Sequence, residues 1–379
     1  PPFRNNASPA VIDFEAWQRY CVAQNWIEPR EGEEPAAATL RGLDAHFRDE
    51  WEELRIAIDR PRCRFPVQWE KHVFAPMPHL PAWLRAAQFA AFRANVHLAL
   101  GDVAAAREEV RVVLRLATVT KTEPTLIAHL VRISIAQLAL DTIKRGISDH
   151  VWDAEALASL AAELRDLRPL EQYEHALRTE RSFGNALYPR LRASGASEFR
   201  KVIQFSDGVP LDHRLLGAYP DGWLYDNQVR TNQFTDAMLA RVDAEQERFE
   251  PAGQSFDVNA KPASWVDSVH YLPFFLHTPV LGSTEIKSLR FQAAVQCGRA
   301  ALALEQIRIT RGSYPPALEA IGDPPRDVIN GEPLRYRVNE EDGYVLYSVA
   351  LNGVDDGGVD GGERLPASQP DWIWNVGPR

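Results

Sequence analysis

The segment HLALGDVAAAREEVRVVLRLATV, residues 97–119, contains the clearest periodic pattern of this chain. Small and aliphatic residues recur in it in alternating steps of three and four, which puts them on one face of an α-helix: Val103, Ala106, Val110, Val113 and Ala117. Gly101 and Asp102 precede this face and supply a turn and an N-cap carboxylate. The pattern predicts an amphipathic helix that begins just after residue 102.

Helical patterns continue on both sides of this segment. They predict further helices over residues 14–26, 37–58, 126–143, 153–167 and 170–187. Helices of this length with short connections pack as antiparallel neighbours. Residues 1–200 are therefore predicted to form a helical domain, built as a bundle or as helical hairpins, and the fold class is mainly α.

Residues 97–110 resemble the joint between the two helices of a tetratricopeptide (TPR) repeat. The period of about 34 residues that defines the repeat does not recur elsewhere in the chain. Because one repeat alone cannot bury its own apolar face, the resemblance implies TPR-like packing of helical hairpins and not a regular solenoid.

Residues 201–281 are less regular because several prolines interrupt them, and they are predicted to connect the helical domain to a C-terminal module through one helix over 227–249. His270 and His277 flank an aromatic segment here, with Pro273 between them. Together with Asp267 they would imitate a metal triad, although the pattern lacks the spacing of known zinc motifs. The simpler interpretation is a pair of partly buried histidines in an aromatic cluster.

Residues 282–379 predict a small α+β module. A long helix is expected to open at Gly282 and Ser283 and to end near Gly312. Its apolar stripe is Ile286, Leu289, Ala293, Cys297, Ala300, Leu304 and Ile307. Two runs rich in aromatic and β-branched residues follow, over 333–338 and 344–349, with an acidic turn between them, and they are typical of a β-hairpin.

An acidic, glycine-rich loop follows this hairpin. It contributes four candidate metal ligands, Asp355, Asp356, Asp360 and Asp371. Calcium prefers six to eight oxygen ligands on flexible backbone, whereas the spacing is not that of an EF-hand. A solvated acidic turn without metal is the alternative.

The last hundred or so residues resemble the C-terminal half of the type II secretion major pseudopilin. The resemblance rests on an ordered set of short motifs after the long helix: RGSYPP at 311–316, GEPLRY at 331–336, GYVLYS at 343–348, NGVDDGG at 352–358 and DWIW at 371–374. It implies a helix packed on a small antiparallel sheet and a structural calcium ion. The density of like charges and glycines in the loop favours Asp355, Asp360 and Asp371 as the ligands of such an ion, with Asp356 as an alternate and backbone carbonyls near Leu351.

Pseudopilins begin with an apolar helix that serves filament assembly, whereas here a polar helical region precedes the module. The whole chain is also similar to uncharacterised bacterial envelope proteins with an N-terminal anchor and a helical middle. Residues 123–127, 131–135 and 181–184 carry this similarity. It implies an extracytoplasmic location, and the first residue, Pro1, predicts an upstream segment: a signal peptide, a membrane anchor or merely a trimmed tail.

The amino-acid composition limits the classes of partner that this chain is expected to bind. The chain has 42 basic and 52 acidic side chains and a net charge of −10, which argues against binding to nucleic acid or to anionic lipid. It contains no uninterrupted apolar run long enough to span a membrane, so contact with a membrane is expected only through the upstream anchor. Cys21, Cys63 and Cys297 lie far apart and are interpreted as small buried residues.

The functional hypothesis is a non-enzymatic, extracytoplasmic interaction or scaffold protein with a protein partner of unknown identity. No phosphate-binding loop and no nucleophile motif is present in the sequence. Charged helix residues such as Glu108 and Glu109, near Arg107 and Arg111, are expected to form surface ion pairs. The alternative function is an envelope hydrolase or a glycan-binding protein that uses an aromatic groove with His270 and His277.

Overall fold

A computed structural model describes residues 12–194, 219–250, 264–339, 343–358 and 371–377. The structure is 67% helical with a small antiparallel sheet near the C-terminus, which confirms the mainly α fold class. The segment at 97–119 forms the expected helix, α4 (Val103–Val119), and Asp102 caps it by accepting a hydrogen bond from the Ala105 amide at 3.1 Å. The predicted apolar positions Ala106, Val110 and Val113 of this helix are fully buried.

The N-terminal helices surround α4. They are α1 (Phe14–Ala23), α2 (Pro35–Ile58) and α3 (His79–Ala99), with a 3₁₀ helix at Trp69–Phe74 between α2 and α3. α3 and α4 form a helical hairpin across the short turn at residues 100–102. Trp17 of α1 packs on Phe92 of α3, with ring centroids 4.5 Å apart, so α1 and α2 close one side of this hairpin.

The next helices are α5 (Leu126–Ser148), α6 (Ala154–Asp166), α7 (Pro169–Ser194) and α8 (Asp221–Leu239). α5 and α6 begin at capping side chains, because Thr125 and Asp153 accept hydrogen bonds from the amides of Ala128 and Ala156. The helix predicted over 227–249 begins earlier and ends at Leu239. The chain after it forms two short antiparallel strands, β1 (Val242–Asp243) and β2 (Arg248–Phe249).

The long C-terminal helix differs from its prediction. After a short helix, α9 (Trp265–His270), α10 runs from Leu272 to Arg311, so it begins ten residues before Gly282. Pro273 lies in its first turn, where a proline removes no intrahelical hydrogen bond. The expected stop is correct, because Gly312 has a φ of 84° and ends the helix in a left-handed conformation.

Most of the circumference of α10 is buried between residues 284 and 305. The helices α5, α6, α7 and α8 and the C-terminal sheet all pack on it. The single apolar stripe read from the sequence therefore understates its burial. A helix with neighbours on all sides belongs to the centre of a domain, and α10 is the central helix of this fold.

The C-terminal sheet has three strands, β3 (Arg335–Asn339), β4 (Gly343–Ser348) and β5 (Trp372–Val376), in the order β3-β4-β5. β3 and β4 are antiparallel partners, with Tyr336 opposite Leu346, so the predicted hairpin pairing is confirmed. β5, which the sequence analysis did not predict, pairs with the other edge of β4 and places Trp374 opposite Leu346. The sheet packs on α10.

One hydrophobic core runs from Trp51 of α2 to Val376 of β5. The proposed boundary between residues 281 and 282 falls inside α10, and the division of the chain into 1–200, 201–281 and 282–379 stays a prediction. The glycine at position 298 contributes to the close packing, since an added Cβ would lie 3.0 Å from Leu140 and 3.3 Å from Leu164.

Among the described residues, α5 is one helix that is long and apolar enough to cross a membrane by length and composition. In the fold, 56% of the apolar window of α5 is buried. The helices α3, α4, α7 and α10 pack on it, so its surroundings are those of a core helix.

Candidate functional site

The acidic loop lies between β4 and β5, and its first aspartate is tied to the sheet. Asp355 accepts hydrogen bonds from the hydroxyl of Tyr347 at 2.9 Å and from the Gly357 amide at 3.0 Å. Its other oxygen lies 3.3 Å from Nε of Arg335. Asp355 is therefore held beside the sheet by Tyr347 of β4 and Arg335 of β3.

Asp371, at the start of β5, is the buried acid of the loop, with 4% of its surface exposed. Its Oδ2 accepts a hydrogen bond from the Gly358 amide at 2.8 Å, while its Oδ1 is buried and has no hydrogen-bond donor among the described residues. Burial raises the pKa of this carboxyl group, and the charges of Asp356 and Asp355 add to the effect. A buried carboxylate oxygen without a donor, next to two further carboxylates, fits the chemistry of a cation site.

The two remaining predicted ligands are Asp356 and Asp360. Asp356 accepts a hydrogen bond from the side-chain amide of Asn352 at 2.8 Å, and Asp360 lies outside the described residues. Within the described ranges, no three His, Cys, Asp or Glu side chains come close enough together to hold a metal ion. The loop thus brings Asp355, Asp356 and Asp371 into one neighbourhood without a formed coordination set.

His270, at the end of α9, belongs to an aromatic cluster. Its Nε2 lies 3.0 Å from Oδ2 of Asp226, and its ring stacks on Trp223 and Tyr271 with centroids 4.7 Å and 4.2 Å apart. His277 lies within α10, and its side chain is outside the described part of the structure. The arrangement around His270 agrees with the partly buried, hydrogen-bonded histidine expected from the sequence.

An open cleft of about 850 Å³ lies between α6 and α10. Gln246 and Glu247 of the turn between β1 and β2, together with residues 321 and 323–326, complete its lining. One face of α6 contributes Ala154, Leu157, Ala158, Ala161 and Arg165, and α10 contributes Gln296, Arg299, Leu302, Ala303 and Gln306. The volume lies within the range of ligand-binding pockets.

Arg299 of α10 links the elements that line the cleft. Its guanidinium donates to the carbonyl oxygens of Leu164 and Leu167 at the C-terminal end of α6. It also pairs with Glu247 of the β1–β2 turn at 2.7 Å. Since the last carbonyls of a helix lack intrahelical partners, this cation both satisfies them and fixes α6 to α10.

The sequence analysis missed a polar stripe on α10. Thr284, Ser288, Gln292 and Gln296 repeat every four residues and are all buried. Ser288 donates to the Thr284 carbonyl, and its oxygen lies 2.8 Å from Nε2 of the buried His129. The i, i+4 repeat of polar residues on an otherwise apolar helix was the signal that could have revealed this stripe.

The stripe ends at the cleft. Gln296 lines the cleft wall, and its Oε1 is buried without a hydrogen-bond donor among the described residues. A buried amide oxygen without a donor costs free energy. The cleft itself combines apolar walls with amide, guanidinium and carboxylate groups.

Comparison of the chain with protein-family models, with curated proteins and with solved structures finds no match.

Proposed function

We propose that this protein is a non-enzymatic interaction or scaffold protein, and that the cleft between α6 and α10 binds a segment of its partner. The observation that carries the proposal is the chemistry of the cleft walls. Its lining side chains in the described part of the chain are aliphatic, amide, guanidinium or carboxylate groups, with no serine, cysteine, lysine or histidine among them. Such walls hold a ligand by burial and by charge.

Blocking the cleft tests this proposal. Ala158 lines the cleft on an exposed position of α6, whereas Ala162 of the same helix is exposed outside it. A phage-displayed library of random dodecapeptides is selected on the intact protein and on the Ala158→Trp and Ala162→Trp variants. We expect enrichment on the intact protein and on Ala162→Trp, and its loss on Ala158→Trp. Equal enrichment on all three proteins contradicts a binding role for the cleft.

The finer architecture belongs to the same proposal. We propose TPR-like packing for the α3–α4 hairpin, supported by the position of residues 97–110 at its joint. A pseudopilin-like module is proposed for α10 and the sheet, supported by the packing of a long helix on three antiparallel strands. In this arrangement the module contributes α10, one wall of the cleft, and the helical region contributes α6, the other.

The proposed location is the bacterial cell envelope, outside the cytoplasm. A link to secretion or to pilus-like assemblies follows from the pseudopilin resemblance. Fractionation of source cells, followed by immunoblotting with an antibody against this chain, tests the location. We expect the protein in the envelope fraction, and recovery in the cytosol alone contradicts the proposal.

We also propose that the acidic loop binds a structural calcium ion through Asp371 and Asp355, with Asp356 and Asp360 as further ligands. The unsatisfied Oδ1 of Asp371 supports this proposal. The ion would neutralise carboxylates that repel one another and would fix β5 on the sheet.

Calcium is expected to raise the thermal unfolding midpoint relative to EDTA, because a ligand that binds only the folded state stabilises it. The shift should disappear in Asp371→Asn and persist in Asp49→Asn, which changes an exposed carboxylate on α2. Identical melting curves of the unmodified protein in calcium and in EDTA would reduce the loop to a solvated turn.

A second candidate function, glycan binding or hydrolysis, is favoured by the surface around His270. Trp265, 76% exposed, lies on the same short helix, and the His270–Asp226 pair stacks on Trp223. Affinity gels that contain soluble polysaccharides test it: retardation that is lost in Trp265→Ala, but not in Ile56→Ala on α2, supports glycan binding. Unretarded migration in every gel counts against it.

A further inference from the structure

The structure assigns a ligand class to the cleft: we propose that it binds an extended acidic peptide. This inference rests on the proposed function, since it specifies what the same cleft recognises. The protein as a whole carries a net charge of −10, yet three arginines converge on the cleft, Arg165, Arg299 and Arg326, against two acids, Glu247 and Asp323. The cleft is thus a local basic site on an acidic protein.

The three arginines are not equivalent. Arg299 is committed to Glu247 and to the end of α6, as described above. Arg165 is exposed and makes no hydrogen bond or ion pair with any residue that the structure describes, and Arg326 uses only Nη1, for the carbonyl of Gly331. These two guanidinium groups remain available for a carboxylate, with which arginine forms a bidentate pair.

The walls between these charges suit a polypeptide backbone. Ala154 and Ala158 are exposed on α6, and Ala303 faces them from α10, so small side chains permit a close approach. Pro324 and Pro325 add apolar surface to the lining. Gln296 and Gln306 add side-chain amides to the α10 wall, and an amide both donates and accepts hydrogen bonds, as a peptide backbone does.

The length of the cleft sets the size of the ligand. From Ala154 to Arg165 on α6 and from Gln296 to Gln306 on α10, each wall spans about 15 Å at 1.5 Å per residue. An extended chain covers that distance in about five residues. A peptide with two acidic side chains and an apolar residue between them matches this lining. The acidic side chains would pair with Arg165 and Arg326, and the apolar residue would contact the aliphatic walls.

The library selection described above also tests this inference. Enriched sequences are expected to contain aspartate or glutamate beside an aliphatic or aromatic residue. A fluorescein-labelled peptide of the enriched sequence is then titrated with the protein by fluorescence anisotropy. Arg165→Glu should weaken binding by about tenfold, since it reverses a charge of the cleft lining, whereas Arg168→Glu, outside the cleft, should change it by less than about twofold.

The outcomes separate the two proposals. Enrichment of acidic sequences that bind the intact protein and lose affinity in Arg165→Glu supports the inference. Enrichment of neutral or basic sequences that Ala158→Trp abolishes overturns the acidic-peptide inference and leaves the cleft a peptide site. No enrichment on the intact protein overturns both. Circular dichroism of each variant, expected to match that of the intact protein, checks that the fold is retained.

Discussion

At the scale of single residues, Glu109 shows that a sequence pattern can predict a surface position for a charged side chain that is in fact buried. It was predicted on the surface of α4, but it is 2% exposed and pairs with Arg93 of α3 at 2.8 Å. Arg93 also pairs with Asp44 at 2.6 Å and lies over the ring of Trp51. The prediction for Glu109 is therefore wrong, and its neighbour Glu108 forms the expected pair with Arg111.

Glu109→Ala should lower the free energy of unfolding by about 3–5 kcal/mol, because it leaves the Arg93 guanidinium buried with an incomplete set of partners. Glu108→Ala removes a partly exposed pair and should cost about 1 kcal/mol or less. Urea unfolding followed by circular dichroism measures both variants. Equal losses in the two variants would show that burial does not distinguish these carboxylates.

Glu285, on α10, gives the protein a dependence on pH. Burial raises the pKa of its carboxyl group from the ordinary 4.5 to about 7, and the nearby Arg241 offsets only part of this shift. The folded state therefore keeps its proton over a range in which the unfolded chain has released it. The stability that this protonated group contributes is present below about pH 4.5 and is lost as pH rises through about 7.

Glu285→Gln should remove this dependence. At about pH 5 the variant and the unmodified protein should have similar free energies of unfolding, and at about pH 8 the variant should be more stable, by at most about 3 kcal/mol. Glu171→Gln, which changes an exposed carboxylate of α7, is the control and should show no such difference. A variant that is less stable at the higher pH would mean that the ion pair with Arg241 outweighs burial.

At the scale of helices, two glycines in helix interiors have opposite roles. An added Cβ at Gly146 of α5 would overlap the indole of Trp152, whose Nε1 donates to the Ile143 carbonyl at 3.0 Å. At Gly184 of α7 an added Cβ would meet no atom within 4 Å. The first glycine is required by packing, and the second only weakens its helix.

Gly146→Ala should therefore destabilise the protein by about 1–3 kcal/mol, although alanine is the better helix former. Gly184→Ala should stabilise it by about 0.5–1 kcal/mol. Thermal unfolding of both variants measures the contrast. A stabilised Gly146→Ala protein would indicate that the indole of Trp152 moves aside at little cost.

At the scale of the whole molecule, the shared core predicts cooperative unfolding. Trp374 of β5 packs against α10 near Gly298, and Lys144 of α5 lies over its ring at 5.6 Å. Because helices and sheet contribute to one hydrophobic core, neither part can unfold without exposing the other. Urea transitions followed by circular dichroism and by tryptophan fluorescence should coincide. Two separate transitions would indicate that residues 282–379 unfold as an independent module.

The architecture was predictable where local signals act alone. The stripe in α4, the cap at Asp102, the stop at Gly312 and the β3–β4 hairpin could all be predicted, since each depends on residues a few positions apart. The start of α10 could not be predicted in this way. Gly282 was taken as the beginning of the helix, but Leu281 before it is buried against α7 and α8, and the helix continues through both residues.

The candidate sites were also predictable only in part. The acidic loop was visible in the composition, and the structure places Asp355 and Asp371 beside the sheet. Their role as calcium ligands stays a prediction. The cleft was not visible, because its walls come from α6 and α10, which are separated by more than a hundred residues. Alanines on one helix do not indicate a cleft, because the cleft exists only where a second helix faces them.

The sequence by itself determined the helical character of this protein, the bounds of several helices and the hairpin, because hydrogen bonds and side-chain spacing within a helix turn or a strand pair are local. Only the tertiary structure decided which charges are buried and where the cleft opens. The Arg93–Glu109 pair joins residues 16 apart, and the contact of His129 with Ser288 joins residues 159 apart. The cost of burying a polar group depends on the dielectric and the partners that the fold supplies, and a linear pattern contains neither.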